Sequence, residues 1–498
     1  MQCFVGCLRA WLHIEKPERS ANPSLRIVTA NDVYKPERLA LVRTAARAAG
    51  ATGAPVKLVL PGDLLGGSLY ASEHLGESTI DILNSMSVNY CVLGNHEFDY
   101  GEARLRELMN MSQFSWLGSN VRDLDSQSIF HTTLDSDAFW IQSRDGPVQV
   151  GVFGLCTSAT PQLSDPGKNI SFEDPTLHAT RCVHALQKRG CEVIVALTHL
   201  SLYQDKQLAE SCAGIHVILG GHDHDPYFLI HHGVLIAKCG QNADHVGILD
   251  LYVDRAATGL ELRHSFHFQS TSAVQEDPLV AKVAARWKKS ATSGEEELCT
   301  VGSSLSSRTQ ELRSTENAFG CLVADAMLWA CRPHGCHVAI VNGGFIRQDN
   351  VYPAHSALTA LQVSEELPFA ECPAVVRMTG HDLRYALEEM LRSAPTPVGC
   401  FPHLSAGMRV SYDPHAPPMG RVRGLEVEGQ TVDPDGEYLV AINRLFSEVA
   451  ADGVETFCKS ERVYTHHQLF RDVVVDYLRE RRHVSGELPR RLVPASGP

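Results

Sequence analysis

Five times in its first half this sequence runs through a short apolar stretch and stops at side chains that can bind metals or move protons. The stretches fall at 25–30, 56–60, 88–93, 193–197 and 217–219. Short runs of β-branched and aliphatic residues, bounded by glycine, proline and asparagine, read as strands. Helical patterning between these runs, then strand-like stretches at 234–237, 246–252 and 262–268, predicts a layered α/β domain with two sheets over 25–270. Folds of this kind place their sites at the carboxyl ends of the strands.

The strand ends read Asn31-Asp32-Val33-Tyr34, Pro61-Gly62-Asp63, Gly94-Asn95-His96-Glu97-Phe98-Asp99, Thr198-His199 and Gly220-Gly221-His222-Asp223-His224. Singly, each is weak: a histidine in a turn more often satisfies a local hydrogen bond than binds an ion. Together, Asp32, Asp63, Asn95, His199, His222 and His224 combine hard oxygen donors with imidazoles, a set suited to divalent first-row metals. They are more ligands than one tetrahedral ion takes, and fit a pair of ions sharing one carboxylate. Such a pair lowers the pKa of a shared water and clamps an in-line displacement at phosphorus.

A chain of 498 residues exceeds one hydrophobic core and divides into two or three domains. Its 44% apolar and 20% charged residues are those of an ordinary water-soluble protein, and a net charge of −14 argues against a nucleic-acid polymer or an anionic membrane as partner. The 15 cysteines include no Cys-x-x-Cys pair, so neither a zinc ribbon nor a redox dithiol is indicated. Cys91, Cys156 and Cys191 lie in or beside apolar runs as buried thiols, which favours a reducing, cytoplasmic setting over a secreted one. The stretch 1–12 is a poor signal peptide, no stretch reaches membrane-span length, and the end of the chain is no lipid-anchor signal.

Taken in order, 1–24 reads as a loose leader, Pro36 opens a helix that Gly50 ends, and 64–68 is a flexible loop. Ser78-Thr79-Ile80-Asp81 has the form of a capping box. A helix over 175–189 is closed by Gly190, and 271–295 is a linker carrying one helix, broken at Thr292-Ser293-Gly294. A second, smaller α/β domain over 296–485 holds helices at 316–330, 381–392 and 468–482 and strands at 338–341, 375–379 and between 408 and 442, with a tail at 486–498.

In this order, Asp-x, Gly-Asp, Gly-Asn-His-Glu-x-Asp, Thr-His and Gly-Gly-His-x-His resemble the calcineurin-like metallophosphoesterases. The form GNHEFDYG and the second domain narrow the resemblance to the 5′-nucleotidase family, over 25–255 and 313–457. The resemblance implies an α/β/β/α metallophosphoesterase domain followed by a substrate domain. It implies one metal at Asp32 and His224, another at Asn95, His199 and His222, and Asp63 bridging them. The pair would be two divalent ions, or one ferric and one divalent, drawn from zinc, manganese, magnesium, iron or cobalt. His96, held by Asp99, would stabilise the transition state, and a hydroxide shared by the metals would attack the phosphate of a small ester, a nucleotide.

The family's first motif is Asp-x-His, and here it is Asp32-Val33-Tyr34. Tyr34 either replaces the missing ligand, as a phenolate can on ferric iron, or hydrogen-bonds a metal-bound water. In the second domain, Arg313-Ser314-Thr315-Glu316-Asn317, with Gly320 and Asp325-Ala326, and Asn342-Gly343-Gly344-Phe345-Ile346-Arg347 resemble the family's substrate motifs. Arg313, Asn342, Arg347 and Asp452 would grip the substrate, and Phe369 and Phe446 stand where the family clasps a base between two rings. Isolated phenylalanines are more often core, and Ala450-Ala451-Asp452-Gly453 lacks the glycine the family has before its aspartate. The other readings are a phosphatase or phosphodiesterase for sugar phosphates, cyclic nucleotides or nucleotide sugars, and a non-catalytic ligand-binding relative whose first metal site has decayed.

Overall fold

The computed structural model describes residues 22–67, 69–126, 128–256, 259–288, 296–369 and 371–494. The readings made for 1–12, most of the leader, the break at Thr292-Ser293-Gly294 and the last residues of the tail lie outside the described residues. The chain divides into two compact units: Met1–Gly66 with His74–Lys289, and Gly67–Glu73 with Ser290–Pro498.

Two six-stranded sheets form the first unit. In one, the strands Leu25–Thr29, Val56–Leu60, Tyr90–Val92 and Ser115–Leu117 run parallel, and the long hairpin His245–Ala256 and Gly259–Ser270 adds antiparallel to Leu25–Thr29. In the other, Gly146–Cys156, Val193–His199, Val217–Gly220 and Val234–Cys239 are parallel, with Ser136–Ser143 and Pro226–His231 as antiparallel edges.

Side-chain alternation accounts for the layers. From Val193–His199, Val193, Val195 and Leu197 point into a core shared with Leu25, Ile27, Val59 and Val92 of the facing sheet. Ile194 and Ala196 point the other way, onto the helices Pro175–Lys188 and Leu202–Ser211 through Ala179, Val183, Leu186 and Leu208. Both faces are therefore dry, and each fully buried valine or leucine contributes roughly 1.5–3 kcal/mol of transfer free energy. The order is α/β/β/α, as the resemblance implies.

Four local readings change. Ser78 and Thr79 do not cap: the helix Glu77–Asn84 starts after Gly76 in the left-handed region (φ 81°), and both hydroxyl residues are buried inside it. The 64–68 loop is held through its described part, with Leu64 and Leu65 fully buried. The expected linker helix, Pro278–Lys288, packs on the first unit, where Arg47 pairs with Asp277 at 2.8 Å and Trp287 Nε1 donates to Asp81 at 2.7 Å. In the tail, Leu492–Pro494 is a strand parallel to Met408–Tyr412.

The second unit is built on a five-stranded sheet in the order Pro402–Leu404, Val338–Asn342, Glu437–Asn443, Pro373–Thr379, Glu461–Thr465. The helices Ala318–Cys331 and Phe470–Arg481 cover one face, and Gly380–Leu391 with a four-stranded sheet covers the other.

Candidate metal centre

Each predicted ligand follows a parallel strand. Thr29 pairs with Val59, Leu60 with Cys91, and Thr198 with Gly220, so the loops that leave these strands start side by side. Asp32, Asp63 and His222 all adopt left-handed backbone, at φ 53°, 56° and 77°. That conformation costs a non-glycine residue of order 1–3 kcal/mol and turns each side chain back across the strand ends. Gly94 and Gly221 allow the close approach: a Cβ on Gly94 would lie 2.3 Å from Asp63 Oδ1, and one on Gly221 2.3 Å from the Pro61 carbonyl.

Asp32, Asp63 and His199 are buried and offer ligand atoms that all lie within 4.8 Å of one another. His199 Nδ1 donates to the Pro61 carbonyl at 2.8 Å, which leaves Nε2 as the electron-pair donor. That Nε2 is buried and makes no hydrogen bond, 3.3 Å from Asp63 Oδ1, and Asn95 Oδ1 is also buried without one. Buried polar atoms left so are rare and call for an explanation. The rings of His199 and His222 meet edge-on with centroids 5.1 Å apart, and His224 Nε2 lies 3.6 Å from Asp32 Oδ1.

Electrostatics gives that explanation. Burial, with the neighbouring Asp63 charge, pushes the Asp32 carboxyl up to about 7 against the pull of His199. Burial works against charge on His199 too, yet Asp63 and Asp32 raise it to about 10. Burial and the His199 charge lower His222 to about 3. The His199 proton thus sits beside two buried carboxylates, and a metal ion at the unbonded donors would take the place of that proton. The residues fit a metal pair.

Beside the ligands, His96 Nδ1 lies 2.9 Å from Asp99 Oδ2, and Ser164 Oγ donates to Asp99 Oδ1 at 2.8 Å. The imidazole is aimed by a carboxylate that is itself held, its Nε2 3.9 Å from Asp63 Oδ2. Tyr34 brings its hydroxyl within 3.1 Å of Asp32 Oδ1, 2.9 Å of Asp63 Oδ2 and 3.0 Å of His224 Nε2.

Three groups have supporting roles that the sequence does not reveal. Buried Glu97 accepts from Asp63 N–H at 2.9 Å, Leu64 N–H at 2.7 Å, Leu65 N–H at 3.1 Å and Gly94 N–H at 2.6 Å, and so ties two ligand loops together. Asn31 Nδ2 donates to Asp32 Oδ2 and to the Gly240 carbonyl, each at 2.7 Å. Lys238, wholly buried, joins Asp223 (2.6 Å), Asp205 (2.9 Å) and the Gly221 carbonyl (2.8 Å), while Asp205 accepts from Thr198 at 2.8 Å. A lone lysine in the run Val234-Leu235-Ile236-Ala237-Lys238-Cys239 was the available signal.

In the second unit the candidate substrate residues only partly assemble. Asp452, left-handed at φ 50°, accepts from Asn342 Nδ2 at 3.5 Å, and Asn443 Nδ2 donates to Asn342 Oδ1 at 2.9 Å. Burial raises the Asp452 carboxyl, opposed by the charges of Arg313, Arg392 and Arg347. Half-buried Phe369 stacks on Phe345 at 5.4 Å, and the Arg347 guanidinium lies 5.7 Å from its ring centre. Phe446 sits in the core, edge-on to Phe457 at 5.9 Å, as the bland reading of a phenylalanine has it. Glu316 and Asp325 serve the tail instead: Glu316 accepts from the Leu492 N–H at 3.1 Å, and Asp325 takes both arms of Arg491 at 2.8 Å.

Comparison with known proteins agrees with this geometry. Residues 25–226 match the calcineurin-like phosphoesterase family and residues 291–458 the 5′-nucleotidase C-terminal domain. The trifunctional nucleotide phosphoesterase protein YfkN of Bacillus subtilis is 25% identical over 441 residues, 80% of this chain, which spans 30% of that longer protein. The 5′-nucleotidase of Homo sapiens is 26% identical over 407 residues, 75% of this chain and 69% of its own length. A 5′-nucleotidase precursor from Thermus thermophilus shares the fold with a TM-score of 0.84 at 24% identity, over 95% of this chain and all of that one. The chain is a phosphoester hydrolase that belongs to the calcineurin-like phosphoesterases of the 5′-nucleotidase family.

Proposed function

We propose that this protein hydrolyses nucleoside 5′-monophosphates or closely related nucleotides with two bound metal ions. The observation that carries this reading is the buried cluster of Asp32, Asp63 and His199, with His224 beside Asp32, His222 against His199 and the His96–Asp99 pair alongside. Asp32 and His224 would hold one ion and Asn95, His199 and His222 the other, with Asp63 between. Zinc, manganese, magnesium, iron and cobalt all suit such donors. Once bound, the pair supplies Lewis-acid polarisation of a phosphoryl oxygen and a nucleophile available at neutral pH.

The protein's own groups do the rest. Asp99 and Ser164 fix the His96 ring, so its Nε2 edge presents one oriented donor where negative charge develops on phosphorus oxygens. Glu97 keeps the Asp63 and Asn95 loops at their spacing, and the Lys238 network does the same for those of His199 and His222. A nucleotide is favoured over a sugar phosphate by the second domain, where Arg347 and Phe369 put a guanidinium next to a partly open ring. Relatives named as nucleotidases support the same choice.

The test is phosphate release by metal-loaded protein from nucleoside monophosphates, sugar phosphates and cyclic nucleotides. Nucleoside 5′-monophosphates should turn over fastest, and preference for a sugar phosphate or cyclic nucleotide would overturn the substrate assignment. We place the activity in the cytoplasm, a reading supported by thiols such as Cys91, Cys156 and Cys239, each buried and raised by burial. Cell fractionation with an antibody to the native chain tests it.

A further inference from the structure

The Tyr34 hydroxyl has three polar neighbours, two of them carboxylate oxygens, and a phenol has one proton to share among them. Donating that proton to one carboxylate and accepting from His224 Nε2 still leaves the other carboxylate contact without a proton from the phenol. Two donors each about 2.1 Å from one ion and at right angles stand about 3 Å apart. The phenol oxygen keeps that spacing to Asp32 Oδ1, Asp63 Oδ2 and His224 Nε2, at 3.1, 2.9 and 3.0 Å, as a further vertex of one donor set.

Its place is also built. Tyr34 is buried, its backbone N–H donates to Asn242 Oδ1 at 3.0 Å, and the Asn242 N–H donates to the Asp32 carbonyl at 2.8 Å. The ring is wedged edge-on between His96 and His224, with centroids 5.6 and 5.4 Å away. Charge then separates the two metal positions. Asp32, Asp63 and a bound phenolate would place three anionic oxygens and one imidazole on one ion. Asn95, His199 and His222 are neutral donors that share only Asp63 with it. Hard anionic oxygens favour the ion of higher charge.

We infer that Tyr34 is a metal ligand, and that the position it shares with Asp32, Asp63 and His224 takes ferric iron beside a divalent ion. This deepens the two-metal reading above and rests on it.

The test strips the full-length protein of metal, reloads it with ferric iron and zinc, and records metal content and the visible spectrum. One iron per chain and a phenolate-to-iron charge-transfer band are the expected result. Tyr34→Phe should lose the band. Tyr34→His should also be colourless and bind two zinc ions, and far-UV circular dichroism of both variants confirms that they fold. Bound iron without a band, a band that survives in Tyr34→Phe, or uptake of two zinc ions with refusal of iron would each overturn the inference. Nucleotide turnover in the same samples separates the two readings. A coloured protein without turnover defeats the substrate assignment alone, and a colourless, iron-loaded protein with turnover defeats the Tyr34 assignment alone.

Discussion

The strand ends of the first unit and the Asn342–Asp452 loops of the second both gather buried polar side chains around a left-handed aspartate, yet they differ in what those side chains touch. Around Asp63, donor atoms face one another with gaps that no hydrogen bond fills, notably His199 Nε2 and Asn95 Oδ1. Around Asp452 most groups are paired within the protein: Asn342 binds Asn443 and the Gly399 carbonyl, and the Arg392 guanidinium takes the carbonyls of Asp452 and Gly453, although Asn443 Oδ1 is itself buried without a hydrogen bond. A metal site stays unfinished until its ion arrives, and its residues show it. A site that grips an organic ligand can be mostly complete on its own, so its residues look structural.

That contrast can be broken at its strongest point first. Asp63→Asn removes the shared anion and should cut turnover well beyond the roughly 10–100-fold typical of losing a supporting residue. Normal turnover with both metals still bound would sink the two-metal assignment. Next is His96→Asn, which should lower kcat by about 10²–10³ at unchanged metal content. Metal analysis decides the point, because lost metal would make His96 a ligand.

Glu97→Gln follows. It sets an amide NH₂ against backbone N–H groups that now find a carboxylate, and should weaken metal binding roughly 10–100-fold. Titration of the stripped protein with zinc measures this, and an unchanged affinity would reduce Glu97 to a fold element. The smallest effect should come from the rings. Phe369→Leu should raise KM for a nucleotide by a few-fold, about 0.5–1.5 kcal/mol, with kcat held. Phe446→Leu should lower the melting temperature and leave KM alone. The reverse pattern would exchange their roles and make the second site as unfinished as the first.

The same contrast explains what could be read from the sequence. Val193 to His199 is legible because burial on both faces makes it apolar throughout and its abrupt polar end is local. Ser136–Ser143, partly exposed along most of its length, and Pro226–His231, alternating on an edge, carry no such run and were missed. Glu97 was visible in its motif, but its partners are backbone groups 32 to 34 residues away, whose direction no side-chain pattern records. The capping box failed because Gly76, free to turn left-handed, starts the helix before Ser78. The helix Pro278–Lys288 has an amphipathic face, which spoke for packing rather than linking.

The two face-to-face sheets of the first unit each supply half of the candidate ligands. Asp32, Asp63 and Asn95 leave strands of one sheet, and His199, His222 and His224 belong to the other. Along most of their contact these layers are held by packed side chains such as Val59, Val92, Val195 and Leu197, with hydrogen bonds such as Tyr90 to Asp137 at 2.9 Å. At one end, metal ions would fasten the layers as a rivet fastens two plates. Mass action then ties cohesion to metal supply: ions at about 100 times their dissociation constant add about 2.7 kcal/mol to the folded state. In a cell starved of metal, this protein would lose that share of its cohesion together with its chemistry, and so meet proteases more often while newly inactive.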